Sequence, residues 1–339
     1  MSTYSLSDGI AAGAKRSRGE GVLDWLRASG PGIAAAIAWA AFGLSCLLWN
    51  DLGDWSRTRS LGIAGFVVAA LAFFGTLGAD FLDKTGAGLR QRVPWLVVLG
   101  LFLTLWELAT AKFAWLPLPF FPPPQAIVEV YTDDLPKLLD SVLASVKLQL
   151  GGYIIGAFVG FLTGVAIGWS RSVGYWVHPV LRFIGPLPAT AWLPIAFFMF
   201  PSSRSASTFL IALATGFPVT VLTWSGVASV SNAYYDVART LGAKPSFLVL
   251  KVAIPAALPH VFVGLFMGLG SSFAVLVVAE MIGVKAGLGW YLQWAQGWAA
   301  YANMYAALIV MSLLCSGAIT LLFKVRDRLL VWRKGVVKW

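Results

Sequence analysis

The amino-acid sequence predicts an all-α integral membrane protein. Of its residues, 58% are hydrophobic and only 12% are charged, and the mean hydropathy of +0.78 is higher than soluble globular domains reach. The apolar residues form long runs, and a helix needs about 20 of them to cross the hydrocarbon core. Strands of a membrane barrel would be about 10 residues long and would alternate apolar and polar residues, so the runs indicate helices.

Eight runs are long enough to be membrane spans. They cover residues 32–49, 61–79, 94–111, 142–169, 177–200, 206–227, 261–284 and 303–323. If the N-terminus lies in the cytoplasm, most of the 25 Lys and Arg residues fall in cytoplasmic segments, with Arg182 left within a span. The positive-inside rule therefore places both termini in the cytoplasm. It also explains much of the net charge of +10 without a nucleic-acid partner.

Two polar segments divide the chain. Residues 80–92 contain charged residues and glycines, and they separate the first two spans from the other six. Further along, five prolines between residues 117 and 124 exclude a helix, after which apolar residues recur at helical spacing. We expect an amphipathic helix over about 124–140 on the outer surface. It would either shield the bundle or also contact a protein that delivers solute.

The connection at residues 229–258 is too polar for lipid. Ser231 or Asn232 can cap a short helix that runs to Leu241. Gly242 can end this helix by adopting a left-handed conformation. A compact helical protrusion on the cytoplasmic face is the predicted result.

A second helix of this connection can begin at Pro245, which suits a first helical turn. We expect Pro255 to stop this helix and Pro259 to open the next span. The two helices would present small and aromatic residues that suit a groove in a partner protein. The exposed residues would be Tyr234, Tyr235, Ala238 and Leu241, with Asp236 and Arg239 beside them.

The sequence offers no constellation for catalysis or metal binding. Cys46 and Cys315 lie in separate apolar spans, and His178 and His260 occur singly near span ends. We expect all four to be structural. A phosphate-binding Walker loop is absent from the sequence, so nucleotide chemistry would need another chain.

The polar connection at 229–258 resembles the coupling loop of ABC importer permeases. Those permeases carry Glu-Ala-Ala, three residues, Gly, nine residues, Ile, any residue and Leu-Pro. The matching residues here are Asp236-Val237-Ala238, Gly242, Val252 and Ile254-Pro255. The substitutions are conservative and keep both helix-breaking residues in place.

Flanking motifs resemble one family of such permeases, which imports nitrate, sulfonates, taurine or bicarbonate. The motifs are Gly185-Pro-Leu-Pro-Ala-Thr-Ala-Trp-Leu-Pro194, Phe217-Pro218, Ala253-Ile-Pro-Ala-Ala-Leu-Pro259, Val278-Ala-Glu-Met-Ile-Gly283 and Gly287-Leu-Gly289. The resemblance implies a six-helix type I permease core over 93–328. An extra transmembrane helix pair over 32–92 would precede the core, with cytoplasmic tails at 1–31 and 329–339.

The resemblance also implies the function and the partners. The chain would be the permease subunit of a binding-protein-dependent importer in the bacterial inner membrane. It would pair with a second permease copy, as a homodimer, and with two cytoplasmic ABC ATPase subunits that bind ATP and Mg. A periplasmic or lipid-anchored solute-binding protein would deliver a small anion or zwitterion. The chain itself would bind no cofactor and perform no catalysis.

Two sets of site residues follow from the resemblance and from the sequence. The residues expected to contact the ATPase are Tyr234, Tyr235, Asp236, Val237, Ala238, Arg239, Leu241, Gly242, Ala243 and Pro255. Prolines in the fifth span free backbone carbonyls, which a membrane tolerates only against protein or a water-filled cavity. The residues expected along the translocation path are Pro186, Pro188, Trp192, Pro194, Met267, Ser271, Ser272 and Glu280.

Several alternatives stay open. Glu280 either has a role in the path or pairs with a donor that fixes the turn at Gly283. Ser271 and Ser272 either offer hydroxyls to a passing oxyanion or serve helix packing. A secondary transporter without an ATPase is the rival function, although it would favour more intramembrane carboxylates and internal repeats. A membrane enzyme would need a cluster of catalytic side chains.

Overall fold

The computed structural model describes residues 18–77 and 83–333, and every regular element within them is helical. The helices are α1 (Arg18–Leu48), α2 (Thr58–Leu77), α3 (Asp83–Glu107), α4 (Pro124–Asp133), α5 (Leu135–Trp169), α6 (Arg171–Ile184), α7 (Leu193–Met199), α8 (Ser203–Ala228), α9 (Asn232–Thr240), α10 (Pro245–Phe247), α11 (Ile254–Ile282), α12 (Leu288–Gly297) and α13 (Tyr301–Leu329). The predicted tails at 1–31 and 329–339 lie partly outside the described residues. The first tail is already helical from Arg18 onward.

Seven helices of the described residues are long and apolar enough to cross a membrane, or up to eight spans if one bent pair is counted. The pair is Arg171–Ile184 followed by Ala189–Met199, with a bend of 87° between its two pieces. The segment predicted as one span over 177–200 is therefore not a single kinked helix, because the chain changes direction sharply between two helical pieces. Pro186 and Pro188 lack the backbone N–H that a continuing helix needs.

The described residues up to Asp133 form one compact unit. In it α1 packs against α2 and α3, and the Trp39 indole donates a hydrogen bond of 2.9 Å to the Leu96 carbonyl on α3. The third span thus packs with the first two. Because α3 begins at Asp83, most of the polar segment at 80–92 is helical.

The described residues from Asp134 onward form the second compact unit. Glycines recur at every fourth position of α5, at 152, 156, 160, 164 and 168. A Cβ atom on Gly156 would lie 2.3 Å from the Ala212 carbonyl oxygen on α8. The stripe therefore lets the α5 and α8 backbones approach closely, as small residues do in membrane bundles. Leu210, Ile211 and Leu276 belong to the buried core beside this contact.

The segment predicted as one amphipathic helix over 124–140 is divided. α4 ends at Asp133, and the remainder belongs to the 35-residue α5. Pro136 lies in the first turn of α5, where its missing N–H has no cost, but it could not continue α4. α4 buries Ile127 and Val130, as the apolar spacing predicted.

Candidate functional site

The polar connection at 229–258 begins with the short helix α9. The Ser231 hydroxyl caps this helix by accepting a hydrogen bond from the Ala233 N–H. At the other end, Gly242 adopts a φ of +80°, and its N–H bonds to the Arg239 carbonyl at 2.9 Å. The cap and the left-handed glycine confirm the local structure expected from the sequence.

One face of α9 is an exposed apolar stripe. Tyr234, Val237 and Leu241 are 65%, 61% and 83% exposed, and their spacing of three and four residues places them together. Tyr235 differs from the expectation, because it is half-buried and its ring lies 5.9 Å from that of Trp169. Burial raises the pKa of Tyr235. This tyrosine holds α9 on the bundle, while the stripe points away from it.

The other predicted coupling residues contribute less to that stripe. Ala238 and Ala243 are half-buried, so the expectation that Ala238 is exposed was wrong. Asp236 and Arg239 form an ion pair of 3.3 Å with both side chains exposed. Exposed pairs of this kind stabilise a protein little.

Pro255 does not end the second helix of the connection, which corrects our expectation. A π turn at Leu248–Ala253 joins α10 to α11, and the helical segment runs over Pro245–Ile282. Proline lacks the N–H that would bond four residues back, and a wider π turn is a known accommodation for this defect. Pro259 likewise lies inside α11 instead of opening it.

Two clefts adjoin where α6 ends. The smaller, of about 310 Å³, is lined by the chain between α6 and α7, by α8 and by α11. The larger, of about 550 Å³, lies between α6 and α8. Gly185 and Phe217 border both clefts. A Cβ atom on Gly185 would lie 2.6 Å from the Phe217 ring, so this ring is packed against the backbone at the junction.

The predicted path residues occupy different environments. Pro188 and Ser271 line the smaller cleft, and Pro186 lines the larger one. Trp192 packs on the apolar core, and its buried indole nitrogen has no hydrogen-bond partner in the part of the chain that the structure describes. Met267 is 54% exposed on α11.

Pro194 and Ser272 have structural surroundings. Pro194 lies in the first turn of α7. Ser272 is fully buried: it accepts a hydrogen bond of 2.6 Å from the Gln149 amide and donates one of 2.9 Å to the Leu269 carbonyl. These two bonds correspond to the packing alternative for Ser272 rather than to contact with a passing solute.

Glu280 is fully buried near the end of α11. Its Oε1 and Oε2 atoms lie 2.7 and 2.8 Å from the Ser145 hydroxyl, and Oε2 also accepts a bond of 2.8 Å from the Gly289 N–H. Ser145 in turn accepts a bond of 2.8 Å from the Leu288 N–H. A Cβ atom on Gly287 would lie 2.3 Å from the carboxylate carbon. These contacts tie α5, α11 and α12 together at one turn.

Comparison with known proteins places the chain among transporters. Residues 152–332, more than half of the chain, match the family described as binding-protein-dependent transport system inner membrane component. The chain belongs to this family. The permease is 31% identical over 198 residues to a probable ABC transporter permease of Brucella abortus, a match that covers 58% of this chain and 79% of that protein.

Two further relatives of the permease are named for anion transport. The bicarbonate transport system permease of Synechococcus elongatus is 31% identical over 192 residues, covering 56% of this chain and 66% of that protein. The nitrate import permease of the same organism is 28% identical over 264 residues, covering 72% of this chain and 89% of that protein. The predicted family is thus confirmed, and the permease is a multi-pass membrane component of an ABC transporter. Such components do not hydrolyse ATP themselves.

A second buried carboxylate of the permease, Glu107, lies in a predicted span but was not among the predicted site residues. Glu107 forms an ion pair of 3.4 Å with Lys112, and Lys112 also pairs with Asp51 and donates a bond of 2.6 Å to the Trp49 carbonyl. The Gln125 amide donates to Glu107 at 3.2 Å and to Asp51 at 3.3 Å. We call these side chains the Glu107 cluster.

The Glu107 cluster depends on a π turn at Leu108–Lys112. Glu107 and Lys112 are five residues apart, and in an α-helix such residues lie on different faces. The wider π turn brings them to one face. Sequence reading at α-helical spacing could not find this pair, because nothing in the residue types marks the π turn.

Proposed function

We propose that this permease imports a small anionic or zwitterionic solute, of the nitrate, sulfonate, taurine or bicarbonate type, by ATP-driven alternating access. It would act in a bacterial inner membrane as a homodimer. Two cytoplasmic ATPase subunits would bind ATP and Mg, and a periplasmic or lipid-anchored binding protein would supply the solute. The observation that carries the proposal is the exposed stripe of Tyr234, Val237 and Leu241, within a loop that has the family spacing.

The proposed coupling uses the continuity of one helix. α9 is anchored on the bundle through Tyr235, and the connection continues through α10 and the π turn into α11 as the helical segment Pro245–Ile282. Ser271 on the same segment lines the smaller cleft. When the ATPase subunits close, displacement of α9 would therefore move a wall of the path and switch the side to which it opens.

The proposed topology places both termini in the cytoplasm with eight spans, as the positive-inside rule indicates. The helix pair at 32–92 would be an addition to a six-helix type I core at 93–328. α4 would lie on the periplasmic face, and the two clefts around Gly185 and Phe217 would be parts of the path. Pro186, Pro188 and Ser271 are the path residues that line these clefts.

Leu241→Asp tests the coupling proposal. A buried charge in an apolar interface is costly, so we expect the variant to lose co-purification with the ATPase and to lose ATP-driven uptake in liposomes. Thr240→Asp, at the adjacent exposed position, is the matched control and should retain both. Retention of both by Leu241→Asp would refute the coupling surface, and uptake without ATP would favour a secondary transporter.

A further inference from the structure

The larger cleft contains an unpaired cation. Arg182 and His178 are its charged or titratable side chains, and the remaining lining is apolar. In the part of the chain that the structure describes, Arg182 forms no ion pair, since every pair there involves another basic residue. Arg182 is exposed, and an arginine within a predicted span that lacks a carboxylate partner is a candidate site for an anionic ligand.

The amphipathic pattern of α6 directs Arg182 toward the cleft. Trp176, Val180 and Phe183 recur at spacings of four and three residues and form an exposed apolar stripe. Arg182 and His178 lie on a different side of the helix, four residues apart. The apolar stripe suits lipid or another membrane helix, and the cationic side faces α8.

Side chains of α8 form the opposite wall of the cleft, and one of them contacts His178. Phe217, Val221 and Trp224 recur at helical spacing on α8 and line the cleft. The His178 ring packs against Trp224, with 4.3 Å between ring centroids. A volume of about 550 Å³, an apolar lining and a few polar groups are typical of small-molecule sites.

We propose that Arg182, with His178 beside it, is a binding site for small oxyanions on the path of this permease. The guanidinium offers a planar fork of N–H donors that matches the oxygens of a nitrate, carboxylate or sulfonate group. The aromatic and aliphatic wall accommodates the rest of the solute. The assignment of the cleft to the path rests on the proposed function, whereas the anion site rests on Arg182 and its surroundings.

Charge-selective labelling tests the site without transport. Val221→Cys places a thiol in the cleft, in an assembled complex in which Cys46 and Cys315 are replaced by Ala. We compare the reaction rates of a sulfonate-bearing and a trimethylammonium-bearing methanethiosulfonate. The ratio of anionic to cationic rate should fall about tenfold in Arg182→Gln, because a nearby charge changes local reagent concentration by that order. Arg182→Lys keeps the charge and should keep most of the ratio.

Competition identifies the anion. Nitrate or taurine at millimolar concentration should slow the anionic reagent when Arg182 is present and have no effect in Arg182→Gln. An unchanged rate ratio in Arg182→Gln, or no reaction with either reagent, would overturn the proposal. Protection by phosphatidylglycerol but not by nitrate or taurine would also overturn it, since Arg182 would then bind a lipid phosphate.

Uptake separates this proposal from the coupling proposal. Arg182→Gln should retain co-purification with the ATPase and lose at least tenfold in uptake, with partial recovery in Arg182→Lys. If Leu241→Asp kept full activity while the labelling ratio still depended on Arg182, the coupling surface would fail and the anion site would stand. Normal uptake by Arg182→Gln would exclude the site from the path.

Discussion

Glu107 and Glu280 are both fully buried, but they are held in different ways. Glu107 shares the ammonium group of Lys112 with Asp51, so its cluster has one more negative than positive charge. Glu280 is held by the Ser145 hydroxyl and the Gly289 N–H, which are neutral donors. The first site is an ion cluster, and the second is a hydrogen-bonded turn.

The difference indicates which kind of change each site tolerates. Removing one partner of a buried ion pair leaves an uncompensated charge and is strongly destabilising. In the Glu107 cluster, Glu107 Oε2 and Gln125 Oε1 have no hydrogen-bond partners among the described residues, so the balance of charges in the cluster is the sensitive quantity. At Glu280 the glycines leave no free space, so the sensitive quantity there is shape.

Lys112→Met should have the largest effect on stability. It removes the ammonium group from two carboxylates, and the free energy of unfolding should fall by about 3–5 kcal/mol. Detergent-induced unfolding measures this, with Lys324→Met on an exposed part of α13 as the control. Equal stability of the two variants would show that the Lys112 ammonium group does not stabilise the Glu107 cluster.

Gly287→Ala should have the next largest effect. Gly287 has a φ of +117°, and a Cβ atom would lie 2.3 Å from the Glu280 carboxylate carbon. Backbone strain alone costs about 1–3 kcal/mol, and displacement of the carboxylate adds to it. Gly270→Ala is the control because a Cβ atom there would meet no atom of the described residues within 4 Å. A midpoint unfolding temperature no lower than that of the control would contradict the tight fit.

The same substitution at the two carboxylates should have different effects. Glu280→Gln places an amide donor among existing donors and should cost about 1–3 kcal/mol. Glu107→Gln removes the excess negative charge and should cost less. Unfolding free energies of both variants, measured side by side, decide the order. The reverse order would remove the distinction between the two sites.

A structural role for Glu280 further predicts unchanged uptake by Glu280→Gln in a complex that assembles normally.

Arg57→Gln should have the smallest effect. Arg57 and Asp133 form an exposed ion pair of 3.1 Å in the same unit as the Glu107 cluster. The Thr132 hydroxyl and then Arg57 lower the pKa of Asp133. Any resulting stabilisation is present above the ordinary pKa of an aspartate and is lost as the pH falls below it. Solvent screens this pair, so the unfolding midpoint at pH 7 should not move. A clear drop at that pH would show that exposure does not weaken the pair.

Local signals predicted both ends of α9 well, and they predicted where prolines end helices less well. Ser231 and Gly242 act as the cap and the left-handed terminator expected from their residue types. Pro255 was expected to stop a helix, but the π turn before it accommodates the missing N–H, and the helix continues. Tyr235 was expected on the exposed face, yet packing against Trp169 turns it inward. These outcomes depend on contacts with neighbouring helices, and the sequence of one short segment does not reveal those contacts.

Two other features, the α5 glycines and Pro136, were visible in the sequence, but the predictions did not use them. The glycines at every fourth position of α5 are visible without a structure and mark the contact with α8. Pro136 marks the start of α5 inside the segment predicted as one outer helix. The Glu107 cluster had no comparable signal, because Asp51, Glu107 and Gln125 are brought together only by packing.

The central claim is that the exposed apolar stripe of α9 contacts the ATPase. Cross-linking from this stripe tests the claim most directly. Leu241→Cys, in a permease without Cys46 and Cys315, is assembled with its ATPase and binding protein in liposomes, and cross-linking and ATP-driven uptake are measured together. We predict a cross-link to the ATPase subunit and a loss of uptake in proportion to its yield. Absence of the cross-link in a complex that still imports solute with ATP would contradict the account.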